Sequence, residues 1–84
     1  MIGLSAAWLA ARAGMRVCVV DPAPGRGAGW VAAGMLAPAG EAHYGEGAIT
    51  RLHLAAAARW GPFAHDLAAA ADGDVGYRPC GTLA

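Results

Sequence analysis

An unbroken apolar run at residues 17–20 is the feature that most constrains how this chain can fold. The run reads Val-Cys-Val-Val and stops abruptly at Asp21. A short, continuous and β-branched run of this kind predicts a parallel strand that is covered on both faces. Before it, residues 4–13 place leucine, tryptophan and alanine at helical spacing, and Gly14 stands where a left-handed helix cap is expected. A helix followed by a buried strand favours an α/β fold.

The positions of one glycine and one carboxylate suggest what such a fold would bind. Gly3 opens the predicted helix and Asp21 ends the predicted strand, 18 positions later. In a β-α-β dinucleotide-binding unit, a helix-packing glycine precedes the ribose-binding acid by about this distance, since the motif places the acid ~20 residues on. The carboxylate would accept hydrogen bonds from ribose hydroxyls. The spacing alone is a weak signal, because the first strand and the first two loop glycines of such a unit are missing.

The remainder of the chain alternates loop, helix and strand signals. Residues 22–29 are rich in proline and glycine and predict a surface loop, followed by a segment of small residues at 30–36. An apolar stripe at intervals of three and four predicts a helix over residues 47–71. Pro62 should kink this helix or begin a second one, and Asp72 with Gly73 should end it. Two short strands are predicted at 75–78 and 82–84, and the larger aromatic side chains Trp8, Trp60 and Phe63 are predicted to be core.

Composition excludes several classes of partner. Six basic residues balance six acidic ones, so neither nucleic acid nor an anionic membrane is an expected partner. Although 57% of the residues are hydrophobic, glycine and proline break the apolar runs well short of the ~20 residues that a bilayer needs. A secretory leader at residues 1–11 would lack its positive charge. The two cysteines form no C-x-x-C motif, which predicts reduced thiols in a cytoplasmic protein.

Histidines and glutamates offer no convincing metal or acid-base site. The positions of His43, His53 and His65 fit no metal-ligand spacing. Glu41 and Glu46 are better explained as loop and helix-start charges than as a catalytic pair. The alanine and glycine residues at 32–34 could by themselves be no more than a tight helix-packing site.

Longer motifs carry a specific resemblance. They are Ile-Gly-Leu-Ser-Ala-Ala-Trp at 2–8, Ala-Ala-Gly-Met-Leu-Ala-Pro at 32–38, Glu-Ala-His-Tyr-Gly-Glu at 41–46, Gly-Tyr-Arg at 76–78 and Gly-Thr-Leu at 81–83. Together with Asp21 and Pro22, these segments resemble the FAD-dependent glycine oxidases of thiamine biosynthesis, members of the D-amino-acid oxidase-like flavoenzymes. The resemblance runs over the whole chain and corresponds to the front portion of a much longer enzyme.

The resemblance implies a fold and a division into domains. The expected fold class is α/β: a partial Rossmann-like FAD-binding domain, lacking its first strand and first two loop glycines, that runs into the start of a substrate-domain sheet. Residues 1–71 would belong to the FAD-binding domain and residues 72–84 to the first substrate-domain strands.

It also implies a set of FAD-contacting positions. Met1, Ile2 and Gly3 would lie at the phosphate loop, Asp21 and Pro22 at the adenosine ribose, Ala28 and Gly29 near the pyrophosphate, and Ala33, Gly34 and Met35 against the flavin. Small residues suit these positions because they let the backbone approach a flat ring. At Gly29 the chain departs from its relatives, which usually carry a hydroxyl there, so a side-chain hydrogen bond to phosphate is not expected. No catalytic residue is assigned within the chain.

The activity implied by the resemblance is oxidation of glycine by oxygen, with water, to glyoxylate, ammonia and hydrogen peroxide. The partner would be a small amino acid or amine, bound in a pocket mostly outside this chain, and a homo-oligomeric parent remains open. A D-amino-acid or sarcosine oxidase or dehydrogenase is the alternative within the same class, although the His-Gly-x-Ser-Arg loop typical of sarcosine oxidases is missing. An alternative from another class is a non-catalytic, mostly helical small protein. Without the first strand, the 84-residue chain is not expected to retain FAD, and it should be poorly soluble.

The missing glycine loop generates a prediction about the gene. We expect that Met1 is not the natural start and that in-frame codons upstream encode an apolar strand and Gly-x-Gly. Sequencing the DNA upstream of Met1 checks this. A stop codon directly upstream would contradict it.

Overall fold

The computed structural model describes residues 1–81, which contain three helices. They are α1 (Ile2–Arg12), α2 (Ala28–Val31) and α3 (Gly47–Ala71). The chain divides into two compact units, Met1–Gly34 and Met35–Ala84, and each is described by itself. This division does not test the predicted domain boundary after residue 71, which stays a prediction.

Helix α1 ends at Arg12, and Gly14 forms the left-handed cap that the sequence predicts. The amide of Gly14 donates to the carbonyl of Ala11 at 3.0 Å, and the amide of Met15 donates to the carbonyl of Ala10 at 3.1 Å. This pair of bonds is a Schellman motif, and it requires a left-handed residue at its centre. Gly14 supplies it with φ +84°. The helix begins at Ile2, two residues earlier than predicted, because the carbonyl of Met1 already accepts a bond from the amide of Ser5 at 2.9 Å.

The predicted strands do not form within the described residues. Residues 17–20 and 75–78 carry no strand, and no described segment pairs with either of them. The physical reason is that a strand is defined by bonds to a neighbouring strand, so that an apolar run alone does not make one. The last predicted strand, at 82–84, lies outside the described residues. The α/β prediction is therefore not reproduced by residues 1–81, whose regular structure is helical.

Helix α2 was not predicted, since residues 28 and 29 were assigned to the loop and residues 30 and 31 to the segment after it. It is a single turn in which the amide of Trp30 donates to the carbonyl of Gly27 at 2.9 Å. The guanidinium of Arg26 lies 4.6 Å from the centre of the Trp30 ring. A cation over an indole face at this distance is attractive, which helps to hold this turn.

Helix α3 has the predicted bounds. It begins after Glu46, whose carbonyl accepts bonds from the amide and the hydroxyl of Thr50 at 2.9 and 3.1 Å. Glu46 is thus a helix-start residue, as predicted. The helix ends at Ala71, and its C-cap Asp72 adopts the left-handed conformation with φ 52°. The amide of Gly73 then donates to the carbonyl of Ala68 at 3.1 Å.

Pro62 does not start a second helix, because α3 runs through it without a break. Proline has no amide hydrogen, so the helical bond to the carbonyl of Ala58 is lost. Its ring also crowds residue 61, partly through any Cβ at that position. Gly61 has no Cβ, so the preceding position can remain helical. The Gly-Pro pair, which suggested an interruption, is therefore the combination that allows the helix to continue.

Within residues 1–81, neither compact unit has a developed core. Among the described residues only Ala64 is buried, with 5% of its surface exposed. Three large aromatic residues that were predicted to be core, Trp8, Trp60 and Phe63, are only half-buried. The prediction therefore overstated how far these side chains are buried. Trp60 packs edge-to-face on Phe63, with ring centres 5.4 Å apart, and lies nearly parallel to Tyr77 at 6.4 Å. These contacts hold the segment after α3 against the helix, and aromatic pairs of this kind contribute about 0.5–1.5 kcal/mol each.

The role of Gly61 can be tested by a double-mutant cycle in α3. Gly61→Ala should stabilise the helix by about 1 kcal/mol when residue 62 is alanine, because, apart from its chain neighbours and the nearby backbone of α3, no described atom lies within 4 Å of the added Cβ. With Pro62 present, the same change should give a smaller gain or a loss. Thermal unfolding followed by circular dichroism measures both arms. Equal effects in the two backgrounds would contradict the explanation.

Candidate functional site

Two of the sequence-predicted site residues are in contact in the first unit. A Cβ built on Gly29 would lie 3.0 Å from Cγ and 3.7 Å from the sulfur of Met1. The Met1 side chain therefore lies over the backbone of Gly29. Met1 is also the N-cap of α1. The structure thus brings the start of α1 beside α2, although Ala28 lies 27 positions after Met1.

The start of α1 presents unpaired backbone donors at this point. The first amide of the helix to find a carbonyl partner is that of Ser5, so the amides of Ile2, Gly3 and Leu4 have no intrahelical acceptor. The first turn holds no acidic side chain, and nothing lies within 4 Å of a Cβ placed on Gly3. Such amides, together with the positive end of the helix, favour an anion.

Asp21 uses one of its two carboxylate oxygens locally. Oδ1 accepts a bond from the amide of Ala23 at 2.8 Å, an Asx turn across Pro22. Asp21 and Pro22 are exposed. The turn fixes the direction of the carboxylate and leaves Oδ2 without a hydrogen bond to the described residues. Asp21 can therefore still accept a hydrogen bond from a ligand hydroxyl.

The remaining predicted residues of the first unit form an open, small-residue surface. Ala28, Ala33 and Gly34 are exposed, and nothing lies within 4 Å of a Cβ on Gly34. Gly34 has φ +79°, a conformation that other residues rarely adopt. The contact between Met1 and Gly29 is the one that the structure records within the predicted set. Asp21 and Gly34 lie in other segments of the same unit.

Met35, the last predicted residue, lines a groove in the second unit. This groove has a volume of about 230 Å³ and lies between the segment 35–38 and one face of α3. The α3 residues that line it are His53, Ala56, Ala57 and Trp60. His53 is the one ionisable side chain among the lining residues, so the groove is mostly apolar.

Two features of these surfaces were not predicted. The first is the groove face of α3, although the spacing of His53, Ala57 and Trp60 by four and three residues could have shown that they share a face. The second is the pair Arg26 and Trp30. Arg26 and Trp30 are four positions apart, as are Trp8 and Arg12. The guanidinium of Arg12 lies 4.7 Å from the centre of the Trp8 ring.

The clearest electrostatic interaction lies after α3, between Asp74 and Arg78. Nη2 of Arg78 lies 2.6 Å from Oδ2 of Asp74, Nη1 lies 3.3 Å from Oδ1, and the amide of Gly76 donates to Oδ1 at 2.8 Å. The bond from Arg78 and then that from Gly76 lower the pKa of Asp74 from 3.8 to about 2. Asp74 in turn raises the pKa of Arg78.

Other polar side chains form no metal-binding cluster within residues 1–81, where no group of three or more histidine, cysteine, aspartate or glutamate residues could hold an ion. Nδ1 of His43 lies 3.4 Å from a carboxylate oxygen of Glu46. Cys18 and Cys80 are free thiols and both are exposed.

Across the part of the chain that the structure describes, no helix combines the length and apolar character needed to span a bilayer.

Comparison with protein families identifies the chain. The family model described as DAO, FAD dependent oxidoreductase, matches residues 1–84. The chain belongs to this family. Its cofactor is accordingly FAD, and the family implies a Rossmann-like FAD domain. Comparison with the curated proteins gave no match, and neither did comparison with the solved structures.

The family match separates two of the alternatives left by the sequence. It favours an FAD-dependent oxidoreductase over a small helical protein of another class, in which Gly3 and Asp21 would be incidental. It does not distinguish glycine oxidase from other members of the family.

The interaction of Arg78 with Asp74 predicts a pH dependence. Because the folded-state pKa of Asp74 lies below its ordinary value, the stabilising contact should be complete above about pH 4 and lost as the pH falls through about 2. Titration of the Asp74 carboxyl carbon by nuclear magnetic resonance should give a midpoint near 2. Arg78→Ala should raise the midpoint towards 3.8, whereas Arg59→Ala, a loss of another exposed arginine, should not change it. An unchanged midpoint in Arg78→Ala would refute the assignment.

Proposed function

We propose that this chain is the FAD-binding front part of an amine or amino-acid oxidase, with glycine as its substrate. The observation that carries the placement of the cofactor is the contact of Met1 with Gly29 beside the unpaired amides of α1. This contact brings the start of α1 beside the small residues 28 and 29. A pyrophosphate bound at the helix amides would therefore have these small residues on its opposite side. Membership of the DAO family supports FAD as the ligand.

The residues of the first unit fit the parts of FAD. The amides of Ile2 and Gly3 would donate to pyrophosphate oxygens, and the small residues Ala28 and Gly29 would lie near the pyrophosphate. Asp21 would accept hydrogen bonds from the ribose hydroxyls, because its Oδ2 is uncommitted while Pro22 and the Asx turn hold the carboxylate in place. The charge distribution is favourable, since residues 1–34 contain three arginines and one acidic residue.

The flavin end would lie against Ala33, Gly34 and Met35. Nothing surrounds Gly34 within 4 Å of a Cβ, so a planar ring could approach its backbone. When bound, FAD supplies the two-electron oxidation of the substrate carbon–nitrogen bond and is reoxidised by oxygen. Glycine, oxygen and water would yield glyoxylate, ammonia and hydrogen peroxide.

Substrate-binding groups are not assigned within the chain. An amino-acid carboxylate calls for arginine or tyrosine donors, and the groove beside Met35 contains neither among its lining residues. We place the carboxylate-binding residues in the part of the enzyme that follows Ala84. A cytoplasmic location accompanies the proposal as an expectation.

Substrate comparison tests the proposed activity. A full-length protein that contains these residues should bind FAD and release hydrogen peroxide with glycine faster, at equal concentration, than with D-alanine or sarcosine. A clear preference for D-alanine or sarcosine would favour the alternative oxidases. A protein that binds no flavin would contradict the placement of the cofactor as well.

Substitutions at Asp21 test the ribose contact in the same full-length protein. Asp21→Ala removes a charged hydrogen-bond acceptor, a loss of about 1.5–3 kcal/mol, so FAD should bind on the order of tenfold or more weaker. Asp21→Asn is the matched control for the turn, because its amide oxygen can still accept the bond from Ala23. Fluorescence titration with FAD measures both. Wild-type affinity in Asp21→Ala would show that the carboxylate serves the turn alone.

A further inference from the structure

Arg26 has no anionic partner within residues 1–81. Its guanidinium lies 4.6 Å from the centre of the Trp30 ring, but it forms no ion pair and no side-chain hydrogen bond with the described residues. Asp21, the one acidic residue among residues 1–34, does not pair with it. Because Arg26 is exposed, its charge is open to an anion from outside the chain.

The contact with Trp30 restricts the guanidinium without using up its hydrogen-bond donors. A cation is attracted to the face of an indole ring by its charge, and this attraction needs no hydrogen-bond acceptor. A guanidinium carries five N–H donors in a planar fork that matches pairs of phosphate or carboxylate oxygens. Arg26 is therefore held in place while its donors remain available to an anion that has several oxygen atoms.

Successive turns connect Arg26 to the proposed ribose acceptor, Asp21. Oδ1 of Asp21 accepts the bond from the amide of Ala23 at 2.8 Å. The carbonyl of Ala23 then accepts a bond from the amide of Arg26 at 3.0 Å. These bonds hold Arg26 in a segment of short turns that begins at the ribose acceptor. In the ADP part of FAD the pyrophosphate is joined to the ribose, so the anion expected beside such an acceptor is phosphate.

Arg26 and Trp30 also flank the two residues that are proposed to lie near the pyrophosphate, Ala28 and Gly29. The side chain of Met1 lies over Gly29, so the residue before Trp30 is beside the start of α1. Alanine and glycine have no side-chain donor, and phosphate oxygens that lie beyond the reach of the backbone amides need a donor from a neighbour. Arg26 supplies the nearest basic side chain along the chain.

We propose that Arg26, positioned by Trp30, binds the pyrophosphate of FAD. Arg26 donates N–H bonds to phosphate oxygens and offsets part of their charge. Trp30 is a positioning residue, because its ring restricts the guanidinium without contacting the phosphates. This inference rests on the proposed function, since it takes Asp21 as the ribose acceptor and residues 28 and 29 as neighbours of the pyrophosphate.

Substitutions at Arg26 in a full-length protein that contains these residues test the phosphate contact by fluorescence titration with FAD. Arg26→Ala should weaken FAD binding about tenfold, because it removes charged hydrogen bonds. Arg26→Lys keeps the charge but not the fork and should give an intermediate affinity.

Arg12→Ala is the matched control for the loss of an arginine that lies over a tryptophan ring. The guanidinium of Arg12 lies 4.7 Å from the centre of the Trp8 ring. Arg12 is the last residue of α1, about 15 Å from the start of the helix at 1.5 Å per residue. Arg12→Ala should therefore leave the FAD affinity unchanged, and a loss equal to that of Arg26→Ala would overturn the inference.

A double-mutant cycle tests the positioning role of Trp30. Trp30→Leu should weaken FAD binding about two- to fivefold when Arg26 is present, because it removes the attraction between the cation and the ring. In the Arg26→Ala background the same change should have little effect. Trp30→Phe keeps an aromatic face and should retain most of the affinity. Equal effects of Trp30→Leu in the two backgrounds would show that Trp30 does not act through Arg26.

Competition with ADP and with adenosine separates a phosphate contact from a general loss of structure. Both ligands compete with FAD for the adenosine end of the site, but only ADP carries the pyrophosphate. Arg26→Ala should raise the inhibition constant of ADP about tenfold and leave that of adenosine nearly unchanged. An equal rise for both ligands, or wild-type FAD affinity in Arg26→Ala, would overturn this inference and leave the proposed function standing. A wild-type protein that binds no FAD would overturn both.

Discussion

A strand is stable only when its backbone amides and carbonyls find partners on a neighbouring strand, and residues 17–20 find none among the described residues. This constraint explains why the regular structure of residues 1–81 is helical, since helices satisfy their backbone groups locally. It also reconciles the helical chain with its family, whose Rossmann-like domain provides a sheet.

Local signals in the sequence predicted α1 and α3 well. Gly14 ends α1 because a left-handed residue is needed there, and the apolar stripe gives α3 its observed bounds. The failures are those in which a neighbour decides the outcome. Pro62 lies inside α3 because Gly61 lacks the Cβ that would clash, and the run at 17–20 needs a partner that its own composition cannot supply. Helix α2 is a single turn, too short to show a periodic pattern.

Sequence motifs indicated a set of positions for the candidate site, which stay predictions, but not the geometry that relates them. The spacing of Gly3 and Asp21 and the motif at 32–38 led to FAD, which the family match supports. The contact of Met1 with Gly29 depends on how the loop between them folds back, and no local pattern encodes that path. The groove was not predictable for the same reason. The face of α3 that carries His53 and Trp60 lines a groove only because the segment 35–38 lies beside it.

Hydrogen–deuterium exchange on a full-length protein that contains these residues, with and without FAD, tests the central claim most directly. The account predicts that FAD slows exchange at the amides of Ile2 and Gly3, in the segment 21–29 and at residues 33–35, because these are the positions assigned to the cofactor. The middle of α3, including Ala64, should change little. Protection confined to α3, with no change at Ile2, Gly3 and Gly29, would contradict the account.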